Sequence, residues 1–105
     1  MDIIVFTALN EEELAQGLIE ALLEKKLIRS GTIFPGVQTM YSWDDQLTVD
    51  EEFKVMIKTT SEQYPGVEQH IQEHHPYIVP EIIKIQVEYG SDAFKTFIRQ
   101  KLSQG

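Results

Sequence analysis

Residues 32–59, TIFPGVQTMYSWDDQLTVDEEFKVMIKT, carry the pattern that decides the fold. Larger side chains that suit strands occupy odd-numbered positions on both sides of the turn residues Asp44-Asp45-Gln46, the alternation expected when one face of a strand is buried. These residues are Ile33, Val37, Tyr41 and Trp43, followed by Phe53, Val55, Ile57 and Thr59. We therefore predict a long β-hairpin. Pro35-Gly36 interrupts its first strand, which indicates a bulge or an edge position.

The length of this hairpin also bears on assembly. A two-stranded ribbon that extends beyond its own domain exposes unpaired strand edges. Pairing with a neighbouring subunit is one way to cover those edges. The hairpin therefore favours an oligomer, and a small domain with a high ratio of surface to volume gains from such burial.

The N-terminal part predicts a strand followed by a helix. Residues 3–7 form an apolar run rich in β-branched residues, typical of a strand covered on both faces. Asn10 offers an N-cap, and Glu13 completes a pattern close to a capping box. Lys25 and Lys26 are expected in the last turn, where positive charge suits the helix dipole. The apolar stripe of this helix comprises Leu14, Ala15, Leu18, Ile19, Leu22 and Leu23.

The C-terminal part predicts helix, strand and helix. Residues 61–75 read as a helix in which Pro65 lies near the start and Pro76 ends it. Pro80 then opens a strand, and Ser91 or Asp92 caps a last helix. The strand should direct Ile83, Ile85 and Val87 to one side, and the last helix should face inward with Phe94, Phe97 and Ile98.

The resulting order is β-α-β-β-α-β-α over a single domain of residues 1–105. Its first six elements are the ferredoxin-like split βαβ arrangement of an α+β sandwich, with a C-terminal helix appended.

Composition narrows the classes of function. The chain has a formal net charge of −8 and a pI near 4.7, which disfavours phosphate backbones and anionic membrane surfaces as partners. It contains no cysteine, which excludes disulfides and thiolate chemistry. Residues 1–6 show no basic leader, so a cytoplasmic location is expected. Phosphate-binding loops, nucleophile elbows and zinc-protease helices are absent, so we predict that the protein is not an enzyme.

Several ordered motifs resemble one known family. Residues 34–43, FPGVQTMYSW, and residues 74–83, HHPYIVPEII, are similar to its second strand and to its H-P-Y-x-x-P-E signature. Further matches lie at residues 5–8, 24–28 and 57–60, so the resemblance runs from Ile3 to about Leu102. On these motifs the chain is identified as a member of the divalent-cation-tolerance (CutA) family.

This resemblance implies a homotrimer similar to the PII signalling proteins, in which long hairpins pack together through intersubunit strand pairing. It implies a role in tolerance to divalent metals, with copper the ion most often discussed. Proposals for the family's metal site draw on cysteines, but this chain has Phe6 and Ser30 at the matching positions. Both thiols are therefore absent. Because copper(I) prefers thiolate or thioether ligands, a copper site of the cysteine type cannot form here.

The remaining metal candidates are histidines. His75 belongs to the signature and could bind copper or zinc, or it could instead cap the end of a helix. His70 and His74 have the i, i+4 spacing that lets two imidazoles reach one ion, but a third ligand is not near in sequence. The acidic runs at residues 11–13 and 50–52 lack the spacing of a calcium loop and are interpreted as solvated surface.

The second candidate is a ligand pocket between subunits. Aromatic walls, a cation, an anion and an imidazole suit a small polar ligand. The resemblance places these residues near the clefts of the trimer: Tyr41, Trp43, Lys58, His75, Tyr77 and Glu81. The alternative is that the aromatic residues only pack a subunit interface. The functional hypotheses are thus a trimeric binding or signalling module in metal tolerance, a PII-like metabolite sensor, and a structural trimer that scaffolds a partner protein.

Overall fold

The fold is one antiparallel sheet with two helices on one face. The computed structural model describes residues 1–88 and 90–104, with side chains up to residue 100. Strand order in the sheet is β2-β3-β1-β4. The elements are β1 Asp2–Leu9, α1 Glu12–Glu24, β2 Ser30–Trp43, β3 Gln46–Thr60, α2 Tyr64–His74, β4 Ile83–Val87 and α3 Asp92–Gln104. The predicted element order is confirmed.

The core lies between the sheet and helices α1 and α2. β1 is central and pairs with both β3 and β4, which explains why its sequence is apolar on both faces. Ile3 and Val5 are almost fully buried beneath the helices, opposite Thr59 and Ile57 of β3. The buried cluster also contains Leu9, Ala15, Leu18, Ile19, Leu22, Ile28, Val55, Val67 and Ile71.

Helix α1 starts and ends differently from the prediction. β1 continues through Leu9, which leaves two residues for the chain to reverse. Glu11 rather than Asn10 is the N-cap, in extended conformation and without a side-chain capping bond, so the predicted capping box is wrong. The helix ends at Glu24; Lys25 is the C-cap, and Lys26 adopts a left-handed φ of 61°. The two lysines therefore lie beyond the last turn.

The β2–β3 hairpin extends beyond the sheet. The pairing of β1 with β3 stops at Leu9 and Phe53, so residues 46–52 of β3 pair with β2 alone. The register shifts between Phe34 and Val37, which confirms the bulge predicted at Pro35-Gly36. The turn is shorter than predicted, because Asp44 and Asp45 both have positive φ and Gln46 already belongs to β3. The ribbon contributes to the long dimension of 47 Å.

The second face of the sheet is largely uncovered. Directly opposed residues of antiparallel strands lie on the same face, and this face carries Ile4, Phe6, Phe34, Met56, Ile83 and Ile85. We call these six residues the open sheet face. Ile83 and Ile85 share one side of β4, as predicted, but that side points away from α1 and α2 and is 46% and 45% exposed.

Helix α3 covers only one end of this face. Ser91 Oγ accepts the backbone N–H of Phe94 at 3.1 Å, which identifies Ser91 rather than Asp92 as the cap. Ile98 is buried, whereas Phe94 and Phe97 are 47% and 43% exposed, so only part of the predicted inward face is covered. Across the described residues, none of the helices combines the length and apolarity needed to cross a membrane.

Candidate ligand-binding site

His75 connects the end of α2 to the end of β1. It is the C-cap of the helix and adopts an extended backbone, and Pro76 prevents helical continuation. Its Nε2 donates to the carbonyl oxygen of Ala8 at 2.8 Å, and its Nδ1 accepts the backbone N–H of Tyr77 at 3.1 Å. These partners fix the neutral tautomer with the proton on Nε2. His75 is 9% exposed, so it acts as a buried clamp.

Tyr77 joins this clamp to the hairpin. Its ring meets the His75 ring edge to face, with the centroids 4.7 Å apart. Burial raises the pKa of Tyr77, and the negative charges of Glu52 and Asp50 raise it further. Tyr77 also lines a shallow groove of about 370 Å³ with Asn10 and the acidic residues 50–52. The signature loop and the hairpin therefore meet at an acidic groove.

Hydrogen bonds across the hairpin organise these acids. Tyr41 Oη donates to Asp50 Oδ2 at 2.9 Å, and Thr39 Oγ1 donates to Glu52 Oε1 at 2.8 Å. The bond to Asp50 is the main reason why the pKa of Tyr41 is raised. Asp50 and Glu51 are exposed, as expected of solvated surface, but Asp50 and the partly buried Glu52 also accept hydrogen bonds from side chains of the facing strand.

Glu81 is held by an ion pair that the sequence did not reveal. Lys54 Nζ lies 2.8 Å from Glu81 Oε2, and the two side chains are 24% and 38% exposed. This pair joins the end of the signature loop to β3. Three site residues of β3 were not predicted from the sequence, namely Asp50, Glu52 and Lys54. They alternate along the strand and therefore share one of its faces, which is the signal that could have found them.

Trp43 and Lys58 lie at opposite ends of the hairpin in one protomer. Trp43 pairs with Gln46 at the hairpin tip and is 68% exposed. Lys58 lies at the other end of β3, with its Nζ 5.0 Å from the centroid of the Phe94 ring. A strand rises about 3.3 Å per residue, so these ends are about 40 Å apart. One chain thus does not bring all six predicted residues together: Trp43 lies beyond Tyr41 at the exposed tip, and Lys58 lies at the far end of β3.

The histidines show no complete metal site. Within residues 1–88 and 90–104, no three His, Asp or Glu side chains are grouped so that they could hold an ion. Metal binding by His75 would require one of its two hydrogen bonds to be replaced. Phe6 and Ser30, which replace the family cysteines, belong to β1 and β2 and lie on the side of the open sheet face.

The family model for the CutA1 divalent ion tolerance protein matches residues 3–101. The chain belongs to this family. A Thermus thermophilus relative, named divalent-cation tolerance protein CutA, is 29% identical over 100 residues, which cover 95% of this chain and 97% of that protein. Human protein CutA is 30% identical over 95 residues, which cover 90% of this chain and 53% of the human protein.

CutA structures also share the fold. CutA1 from Ehrlichia chaffeensis superposes with a TM-score of 0.88 at 29% identity, covering 96% of this chain and 94% of that chain. The periplasmic divalent cation tolerance protein CutA from Archaeoglobus fulgidus gives a TM-score of 0.87 at 28% identity, covering 97% and 99%.

These comparisons confirm the predicted family and the ferredoxin-like α+β fold. The CutA description names ion tolerance and names no reaction. The homotrimer, the copper or zinc ligand and the pocket residues stay predictions, as do the absence of enzymatic activity and the cytoplasmic location.

Proposed function

We propose that this CutA protein acts in divalent-cation tolerance as a homotrimeric binding module whose ligand site is completed by a neighbouring subunit. The names of its relatives support the physiological role. The uncovered sheet supports the assembly, and the acidic groove beside Tyr77 supports the binding site.

The observation that carries the proposal is the open sheet face together with the projecting hairpin. Ile83 and Ile85 lie half exposed next to the partly buried Phe6, on the same face of the sheet as the exposed Phe34. A contiguous apolar face is typical of a protein interface. Within the described chain, β2 pairs only with β3 and β4 only with β1, so each offers a free edge for a strand of another copy.

A second copy would also reconcile the separated site residues. The exposed Trp43 extends at the tip of a ribbon that leaves its own sheet. Placed against a neighbour, it would supply an aromatic wall for the neighbour's His75, Tyr77 and Glu81. This arrangement makes the binding site a property of the assembly.

The charge of the groove points to a cationic ligand. A divalent ion such as Cu(II) or Zn(II) would need a further ligand from the neighbouring subunit, because the described residues of one chain group no three His, Asp or Glu side chains around an ion. Asp50, Glu51 and Glu52 line the groove, while Lys54 is neutralised by its ion pair with Glu81. Calorimetry of both ions with Asp50→Asn and His75→Gln separates the candidate ligands. Loss of binding in Asp50→Asn assigns the ion to the groove, whereas loss only in His75→Gln assigns it to the imidazole.

The trimer is tested by sedimentation velocity at micromolar concentration. We expect a species of three times 12.1 kDa for the native chain. Ile85→Glu should convert it to a monomer because it places a charge on the open sheet face. Leu23→Glu, on an exposed position of α1, is the matched control and should stay trimeric. A native chain that sediments as a monomer would refute the assembly.

A PII-like sensor of a small polar metabolite is the second candidate. The observation that favours it is the hydrogen bonding of both His75 nitrogens, which makes the ring better suited to shape a pocket than to coordinate an ion. A thermal-shift screen of polar metabolites, repeated with Trp43→Ala and Lys58→Ala, tests this function. Stabilisation that disappears in both variants supports a sensor, and no stabilisation by any compound contradicts it.

A further inference from the structure

A second groove lies on the helical face, away from the hairpin. It has a volume of about 350 Å³ and runs between α1 and the end of α2. This volume is at the lower end of the range for small-molecule pockets. Its apolar side comes from α1 residues at helical spacing, namely Leu14, Gly17, Leu18 and Ala21. Lys25, His70 and His74 line it at the C-terminal end of α1.

Gly17 keeps this groove open. Glycine in the interior of a helix weakens the helix relative to alanine. A Cβ added at Gly17 would meet no atom within 4 Å, so packing in the described chain does not require glycine there. Gly31 differs, because its Cβ would lie 2.6 Å from Ile19 Cγ1. The space above Gly17 is thus free for an occupant.

Two side chains at the basic end of the groove, Lys25 and His70, have hydrogen-bond donors to offer a ligand. Lys25 Nζ lies 3.1 Å from His70 Nδ1, and because an ammonium can only donate, Nδ1 accepts and Nε2 carries the proton. His74 Nδ1 donates to the carbonyl oxygen of His70 at 3.0 Å, and the two rings stack with centroids 4.2 Å apart. His70 in this tautomer keeps an N–H on Nε2, and together with the Lys25 ammonium it favours an anion at this end.

Charge along the groove restricts the anion further. Among the ion pairs of the described residues, none involves Lys25, which leaves its charge available to a ligand. Glu13 lines the groove as well, one residue into the first turn of α1 and therefore near the opposite end. A ligand with a negative charge at both ends would meet this carboxylate.

We propose that the groove between α1 and α2 binds a small amphipathic monocarboxylate. Its carboxylate accepts hydrogen bonds from Lys25 Nζ and His70 Nε2, and its hydrocarbon chain lies along Gly17 and Ala21. The lining of this groove comes from one chain and shares only His75 with the residues of the intersubunit pocket.

The test uses octanoate as the probe, titrated into the full-length protein and followed by two-dimensional NMR. We expect saturable shifts at groove residues, with binding at least tenfold weaker for octanol, which lacks the charge, and for suberate, which carries two charges. Lys25→Met should weaken octanoate binding about tenfold, because it removes a charge-assisted hydrogen bond. Lys26→Met changes the net charge equally beside the groove and should alter binding less than twofold.

Gly17→Leu supplies the steric control. Its Cβ meets no atom within 4 Å and the rest of its side chain occupies the space of the ligand, so octanoate binding should be abolished while the folded spectrum is retained. Equal effects of Lys25→Met and Lys26→Met, or octanol binding as tight as octanoate, would overturn the proposal. A change of oligomeric state in Gly17→Leu would also overturn it, by showing that a second copy of the chain occupies the groove.

Discussion

Replacing His75 with phenylalanine should destabilise the folded protein by about 2–4 kcal/mol. The change retains the aromatic volume but removes both the donor to Ala8 and the acceptor for Tyr77, bonds of 2.8 and 3.1 Å. A neutral hydrogen bond contributes about 1 kcal/mol net, and a buried group left without a partner costs about 1–3 kcal/mol. His75 is 9% exposed, so water cannot fully replace either partner.

Two further variants separate the bonds. His75→Gln places an amide N–H where Nε2 lies and should keep the bond to Ala8, whereas His75→Asn places an oxygen near Nδ1 and should keep the bond to Tyr77. Each should lose about 1–2 kcal/mol, because each deletes one of the two bonds. Urea unfolding gives these free energies, provided that every variant is measured at one protein concentration, since assembly makes apparent stability depend on concentration.

The clamp interpretation has a clear contrary result. If His75→Phe unfolds at the same urea concentration as the native protein, the two bonds do not stabilise the fold. If the native protein is stabilised by zinc or copper and His75→Gln abolishes only that increment, the ring is a metal ligand rather than a clamp. Exposed His74→Phe, which affects one bond to a helical carbonyl, serves as the control and should cost less than His75→Phe.

Two other predictions follow from packing and titration. Gly31→Ala should lower the free energy of unfolding by about 1–3 kcal/mol in urea, because its Cβ would clash with the stiff side chain of Ile19. Gly17→Ala should instead raise this free energy by about 1 kcal/mol, because alanine favours the helix. Equal effects of the two variants would contradict the close contact between Gly31 and Ile19. Burial, then His74 and Lys25, lower the pKa of His70 below 6.5, against a smaller opposing effect of Glu73. Between the folded pKa and 6.5, the unfolded chain binds a proton at His70 that the folded chain does not bind, so the free energy of unfolding should fall as the pH drops through this range. His70→Gln should flatten this part of the profile of stability against pH. An unchanged slope in His70→Gln would refute the assignment to His70.

The sequence by itself determined the elements and the family. Strands and helices could be predicted because side-chain periodicity reflects which face each element buries. Pro35-Gly36 marked the bulge, and Pro65 and Pro76 marked the ends of α2, because proline restricts its own backbone and lacks an N–H. The H-P-Y-x-x-P-E signature then identified the CutA family, which the comparisons confirm.

Local patterns failed where tertiary geometry competed with them. The capping pattern at Asn10 is sound as a sequence signal, but β1 continues to Leu9 and forces Glu11 into the N-cap position. The apolar side of β4 was predicted correctly, but not the face of the sheet to which it points. Register with β1 decides that face, and register is set by pairing between residues distant in the chain.

The contacts that define both candidate sites were decided only by the tertiary structure. His75 and Ala8 are 67 residues apart in sequence, and Lys25 and His70 are 45 apart. No periodicity encodes such pairs, because they depend on how α2 packs against α1 and the end of β1. The sequence named His75 as a candidate ligand; the structure turned it into a clamp with both nitrogens occupied, because a buried polar ring must find its hydrogen-bond partners inside the fold.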